Sequence, residues 1–205
     1  MSTAQIDMSR RTKKKILAIL AGGLVLGIGA AVTLATWNDS EFATGTFSAG
    51  SFNLQGSTDG TTFADHASSG SAAAATFSTG FSDMSPNDVV AAPYVLRLDG
   101  TATSGATALV TSADGTGSGV TDFTYGIVQV ASVAECTPTA TGTATIVPAG
   151  TALTDTTGAA SFTLANGTAG APGASVYLCI QVAADAGLVQ GTTATGTWGI
   201  TATSL

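Results

Sequence analysis

The chain has 205 residues, of which 9% are charged and 26 are glycine, and its net charge is −7. That length supports one domain with a real core, and the low charge excludes an ordinary disordered chain, which is charge-rich. Five of the six basic residues are Arg10, Arg11, Lys13, Lys14 and Lys15, and beyond residue 35 Arg97 alone faces every acidic residue except Asp7. A chain this acidic beyond its N-terminus repels nucleic acid and anionic lipid headgroups.

Residues 16–35 carry no charge and follow directly on the basic cluster. This is the pattern of a secretory signal, and bases ahead of the run keep the N-terminus inside and send the bulk outside. A run of ~20 apolar residues also fits a retained membrane helix. Gly22, Gly23, Gly27 and Gly29 make it less hydrophobic than most anchors. Thr33-Leu34-Ala35 offers a small-residue cut site, with cleavage between Ala35 and Thr36. Residues 1–35 are therefore expected to be a signal peptide and residues 36–205 the exported domain.

Residues 46–54 read as a strand broken in register at Gly50, which fits a bulge. Residues 56–82 form a Ser/Gly/Ala-rich loop holding the sole histidine, His66, with a short strand around residues 75–77. Residues 83–88 carry a turn signal. Val90, Ala92, Tyr94, Leu96 and Leu98 then alternate as in a half-buried strand. Pro93, on the other parity, predicts an edge or a bulge there. Residues 106–112 continue the set. In residues 123–130, Phe123, Tyr125 and Ile127 share one face, and Val128 and Val130 the other. Residues 144–147, 161–164, 176–182 and 192–203 complete it, with Val176, Leu178, Ile180 and Val182 alternating, then Trp198, Ile200 and Ala202. No true repeat stands out. About eight or nine strands without helical periodicity predict an all-β, antiparallel β-sandwich.

The residues that carry chemistry are few. Cys136 and Cys179, an even count in an exported chain, predict one disulfide. Zinc catalysis needs about three side-chain ligands, and this chain has one histidine and no His-Glu-x-x-His. His66, beside Asp65, reads as a solvated loop residue. No Gly-x-Ser-x-Gly elbow is present. Asp83, Asp88 and Asp122 sit among turn residues, and no EF-hand spacing occurs. The expectation is a protein that is not an enzyme, with no cofactor, metal site or catalytic residue.

Residues Thr36-Trp37-Asn38-Asp39-Ser40, followed by Ala43-Thr44-Gly45-Thr46-Phe47-Ser48-Ala49-Gly50-Ser51-Phe52-Asn53-Leu54, resemble the start of the TasA/camelysin-like family, exported through SipW-type signal peptides. The wording is nearest its actinobacterial branch, the alternate signal-mediated exported proteins, over about residues 13–60 and more loosely beyond. Ser85-Pro86-Asn87-Asp88 matches the family's Leu-Lys-Pro-Gly-Asp turn only in part. The resemblance implies a jelly-roll-like topology, and cleavage after Ala35 by a SipW-type signal peptidase. It also implies self-association, in which the freed N-terminal segment adds a strand to the next subunit. Trp37, Asn38, Asp39 and Phe42 are the donor-strand candidates, with Trp37 and Phe42 as anchors. The metalloprotease activity described for camelysin-like members is not carried over, because its ligands are missing here.

The sequence thus predicts a secreted or cell-surface structural protein, a biofilm-matrix or fibre-type subunit, touching membrane only through an uncleaved signal helix. An exported sandwich with an edge strand invites strand addition. The alternative is a monomeric cell-surface module for adhesion or carbohydrate binding.

Overall fold

The computed structural model describes residues 10–32, 39–168 and 170–205, and the chain falls into two units, Met1–Phe47 and Ser48–Leu205. In the first unit, α1 spans Arg10–Val32. Its Ala, Leu and Ile residues favour helix, and Gly22 and Gly23 weaken it. The basic cluster occupies its first turns, where the macrodipole disfavours positive charge, so those residues are not there to stabilise the helix. Among the described residues, no helix is long and apolar enough to cross a membrane.

The second unit is all-β. Its strands are β1 (Leu54–Ser57), β2 (Val89–Leu98), β3 (Ala106–Thr116), β4 (Phe123–Val130), β5 (Ala144–Ala152), β6 (Phe162–Leu164), β7 (Val176–Ala184) and β8 (Thr195–Ser204). They form two antiparallel sheets, β1-β2-β7-β4-β5 and β6-β3-β8. The sheets face each other across one core, which Leu96, Ile127 and Leu178 enter from the first sheet and Ala108, Val110 and Leu164 from the second. This is the antiparallel sandwich the alternation predicts.

The pairing is that of a jelly roll, a long hairpin wrapped so that strands pair from its two ends inward. β2 pairs with β7, β3 with β6 and β4 with β5. The outermost pair, β1 with β8, is missing: β1 lies on the far edge of β2 instead. Among the described residues, β8 therefore has β3 on one side and no strand on the other.

Local sequence explains the details. Pro93 sits just past the last β1–β2 pair, Ser57 with Val95. It therefore faces an edge, although β2 as a whole is flanked by β1 and β7. A bulge at Thr111 breaks the β3–β8 register. It moves the inward parity of β3 from Ala106, Ala108 and Val110 to Ala113. Asn87 has φ 70° in the turn closed by Asp88 N–H donating to Ser85 O. Asparagine tolerates that left-handed position, so the departure from the usual glycine keeps the turn. The strand expected over residues 46–54 is much shorter. Only Ser51 bridges, to Ala102, before β1 begins at Leu54.

A second apolar cluster lies on the outer face of the five-stranded sheet. Val128, Val130, Ala91 and Cys179 are buried there, with Cys136 and Ala140 packed over them. The two faces of β4 anticipated in the sequence are these two clusters. The Cys136–Cys179 disulfide ties the covering loop to β7, across a sequence separation of 43. The Gln181 Nε2 group fastens the same loop, donating to the carbonyls of Thr137, Pro138 and Ala140 at 3.0, 3.1 and 2.9 Å. A buried disulfide belongs to an oxidising, extracellular-type environment.

Candidate interaction groove

The missing β1–β8 pair leaves a groove between the open edge of β8 and the β1–β2 side of the facing sheet. It encloses about 1370 Å³, above the ~300–1,000 Å³ of ordinary small-molecule pockets. Leu54, Tyr94 and Leu96 line one wall, Trp198 and Ile200 the other, and Ile127 lies at its base. Trp198 packs against Tyr125 across the core, with ring centroids 5.4 Å apart. Among the described residues, the backbone of β8 bonds only to β3 and, just past its end, at Leu205. His66 Nδ1 and Trp198 Nε1 are buried on this lining without a hydrogen-bond partner among the described residues. Buried polar atoms are normally satisfied, so the site is incompletely filled.

The residues singled out in the sequence fall in several places. Ala35, Thr36, Trp37 and Asn38 lie outside the described residues. Asp39 and Phe42 lie in an exposed, irregular stretch, and Phe42 and Phe47 are 94% and 95% exposed. Cys136 and Cys179 are bonded to each other. His66 is half-buried at the groove, where the sequence suggested a solvated loop residue. Arg97, the sole base after residue 35, is engaged within the domain. Its Cζ lies 3.7 Å from the Phe63 ring centroid, and its Nε and Nη2 donate to Gln55 Oε1 at 3.3 and 3.2 Å. Guanidinium stacking of this kind keeps the cation partly desolvated.

The acidic residues build turns. The Thr62 and Thr61 backbone N–H groups, helped by the Ser57 hydroxyl, hold the Asp59 carboxyl well below the usual range. The Thr101 hydroxyl, then the Asn53 amide, lower the Asp99 carboxyl. The Thr157 hydroxyl and backbone N–H lower the Asp155 carboxyl. No group of three His, Cys, Asp or Glu residues able to hold a metal occurs among the described residues.

Tyr125, whose hydroxyl donates to Asp155 O at 2.7 Å, is pushed up to about 12 by burial first and the Asp155 charge second. Burial also raises Tyr94. A raised folded value contributes stability fully present below the unfolded value of about 10 and lost as pH climbs toward about 12. The depressed carboxylates contribute stability fully present above about pH 3.9 and lost as pH falls through their lower folded values. Urea unfolding across pH is expected to show both limbs. Tyr125→Phe should flatten the alkaline limb while leaving the acid one in place; an unchanged alkaline limb contradicts the assignment.

The sequence matches no family model and no curated protein. The groove itself was not legible beforehand. Its walls are alternating strand residues that any sandwich shows, and only the strand order makes one partner missing.

Proposed function

We propose that this chain is an exported β-sandwich subunit that self-assembles, the N-terminal segment of one copy adding as a strand along β8 of the next. The observation that carries this reading is the edge of β8, ten residues long and unpaired among the described residues, beside an apolar groove that β1 leaves by lying on β2. An exposed strand edge is a template for another chain, and strand addition supplies main-chain bonds for affinity and pockets for specificity.

The donor is the stretch ahead of Ser51, the residue whose bridge to Ala102 first ties the chain to the sandwich. Extended, residues 39–49 are long enough to pair along β8. Alternation puts Ala43, Gly45, Phe47 and Ala49 on one face and Phe42, Thr44, Thr46 and Ser48 on the other. We take the first as the face toward the groove, so Phe47 stands as its anchor in place of Phe42, which the sequence suggested. Trp37 shares that parity in the sequence. The resemblance of residues 13–60 to the TasA/camelysin-like family supports the same reading, with a SipW-type peptidase cutting between Ala35 and Thr36 to free the donor. The product is a cell-surface or matrix fibre rather than an enzyme.

Intact mass and N-terminal sequencing of protein from culture supernatant, with negative-stain microscopy of the same sample, test this. A start at Thr36 with filaments is expected. A start at Thr36 with monomers at every concentration overturns the assembly reading and favours a monomeric surface module.

A further inference from the structure

In the subunit on its own, the groove has a covering. Residues 66–84 run from β1 to β2 across its mouth. Ala72 to Ala75 and Phe77 all lie on its lining; Ala73, Ala75 and Phe77 are half-buried, and Ala72, Ala74 and Thr76 are exposed. That is the period of two of a strand. Yet residues 73–77 make no backbone hydrogen bond to either sheet among the described residues. The segment is held at its ends. Ser69–Ser71 forms a short 3₁₀ turn capped by Ser68. Ser78 N–H donates to Ala91 O at 2.8 Å, and Ala91 N–H donates to Ser78 Oγ at 3.1 Å. Residues 73–77 therefore occupy the place of a strand without the ladder of one.

The sequence of this covering matches the donor. Residues 43–50 read Ala-Thr-Gly-Thr-Phe-Ser-Ala-Gly, and residues 73–80 read Ala-Ala-Ala-Thr-Phe-Ser-Thr-Gly. The two share Ala, Thr, Phe, Ser and Gly in register. They also agree in inward parity: Ala43, Gly45 and Phe47 correspond to Ala73, Ala75 and Phe77. We infer that residues 73–80 are an internal mimic of the donor. They cover the groove in the free subunit and are displaced when residues 43–50 of a second copy enter. This rests on the assembly reading above and adds its control. The mimic shields Leu96, Ile127 and Trp198 from water before assembly, and it sets a threshold that the donor passes because the donor can also pair with the β8 backbone. The competition is between two segments of like shape, one without a ladder and one able to form it. Only the groove-open fraction of subunits accepts donor, so the observed affinity is the intrinsic one reduced by that fraction.

The test uses the full chain carrying Phe47→Asp, which disables its own donor, and a labelled synthetic peptide of residues 40–50. Binding is read by fluorescence anisotropy, and the mimic's release by hydrogen exchange at the Ser78 amide. Ser78→Pro, at a position outside the core, removes both bonds to Ala91. Added to Phe47→Asp it should tighten peptide binding about tenfold, the worth of one or two hydrogen bonds. Phe77→Ala should act in the same direction, with circular dichroism confirming that each variant is folded. In the chain carrying Phe47→Asp alone, bound peptide should strip protection from Ser78. Equal binding by the chains with and without Ser78→Pro, with Ser78 still protected, overturns the mimic while leaving strand addition standing. No binding to any variant overturns both.

Discussion

Replacing Cys136 and Cys179 together by serine is expected to lower unfolding stability by about 4 kcal/mol, the chain-entropy value for a loop of this length. The loop closed by the disulfide spans 43 residues. Native packing depends on it too. Val128 and Val130 are 9% and 5% exposed on the outer face of the sheet, and the loop carrying Cys136 is their cover. Once the bond is gone, the amide of Gln181 is the main remaining tether of that loop, and its bonds contribute about 1 kcal/mol each. Urea unfolding of the oxidised protein, the reduced protein and the double-serine variant measures this. The last two should agree and lie well below the first. A difference under about 1 kcal/mol means that Gln181 and the apolar cover hold the loop unaided.

The second large effect concerns association. Phe47 is 95% exposed in the subunit, so Phe47→Asp should leave its melting temperature unchanged. Assembly should nevertheless weaken by roughly a hundredfold or more, because about 2–3 kcal/mol of aromatic burial is lost and a carboxylate must enter an apolar groove. Phe42→Asp, on the opposite parity, should cost far less. Sedimentation velocity over a concentration series separates the two variants. Equal behaviour of both contradicts the face assigned to the donor.

Much of the sandwich was legible in the sequence, because inward residues of strands buried on one face must alternate. Val176, Leu178, Ile180 and Val182 gave the middle of β7, and Trp198, Ile200 and Ala202 gave β8. The disulfide was legible from an even cysteine count in a chain whose N-terminus reads as an export signal. Strand order was not, since alternation records which face is buried and not which neighbour pairs. The extent of β3 was underestimated because the bulge at Thr111 switches its parity midway, hiding residues 113–116. Residues 72–77 read as low complexity because alanine fits both faces of a strand, and only the fold separates half-buried Ala73 and Ala75 from exposed Ala74. The likeness of residues 43–50 to residues 73–80 gained meaning only once the groove was found to lack a strand.

Strand addition requires the N-terminal segment of one copy to lie along β8 of another. Cysteine pairing between copies tests it most directly. One variant carries Ser48→Cys. Its partners carry single cysteines in place of Thr197, Thr201 or Thr203 on the outward face of β8, with Ala149→Cys on the exposed β5 edge as the control. After mixing and mild oxidation, the account predicts a covalent heterodimer with at least one of the β8 variants, abolished by Phe47→Asp, and none above background with Ala149→Cys. Cross-linking that is equal at β8 and β5, or absent at every β8 position, contradicts it.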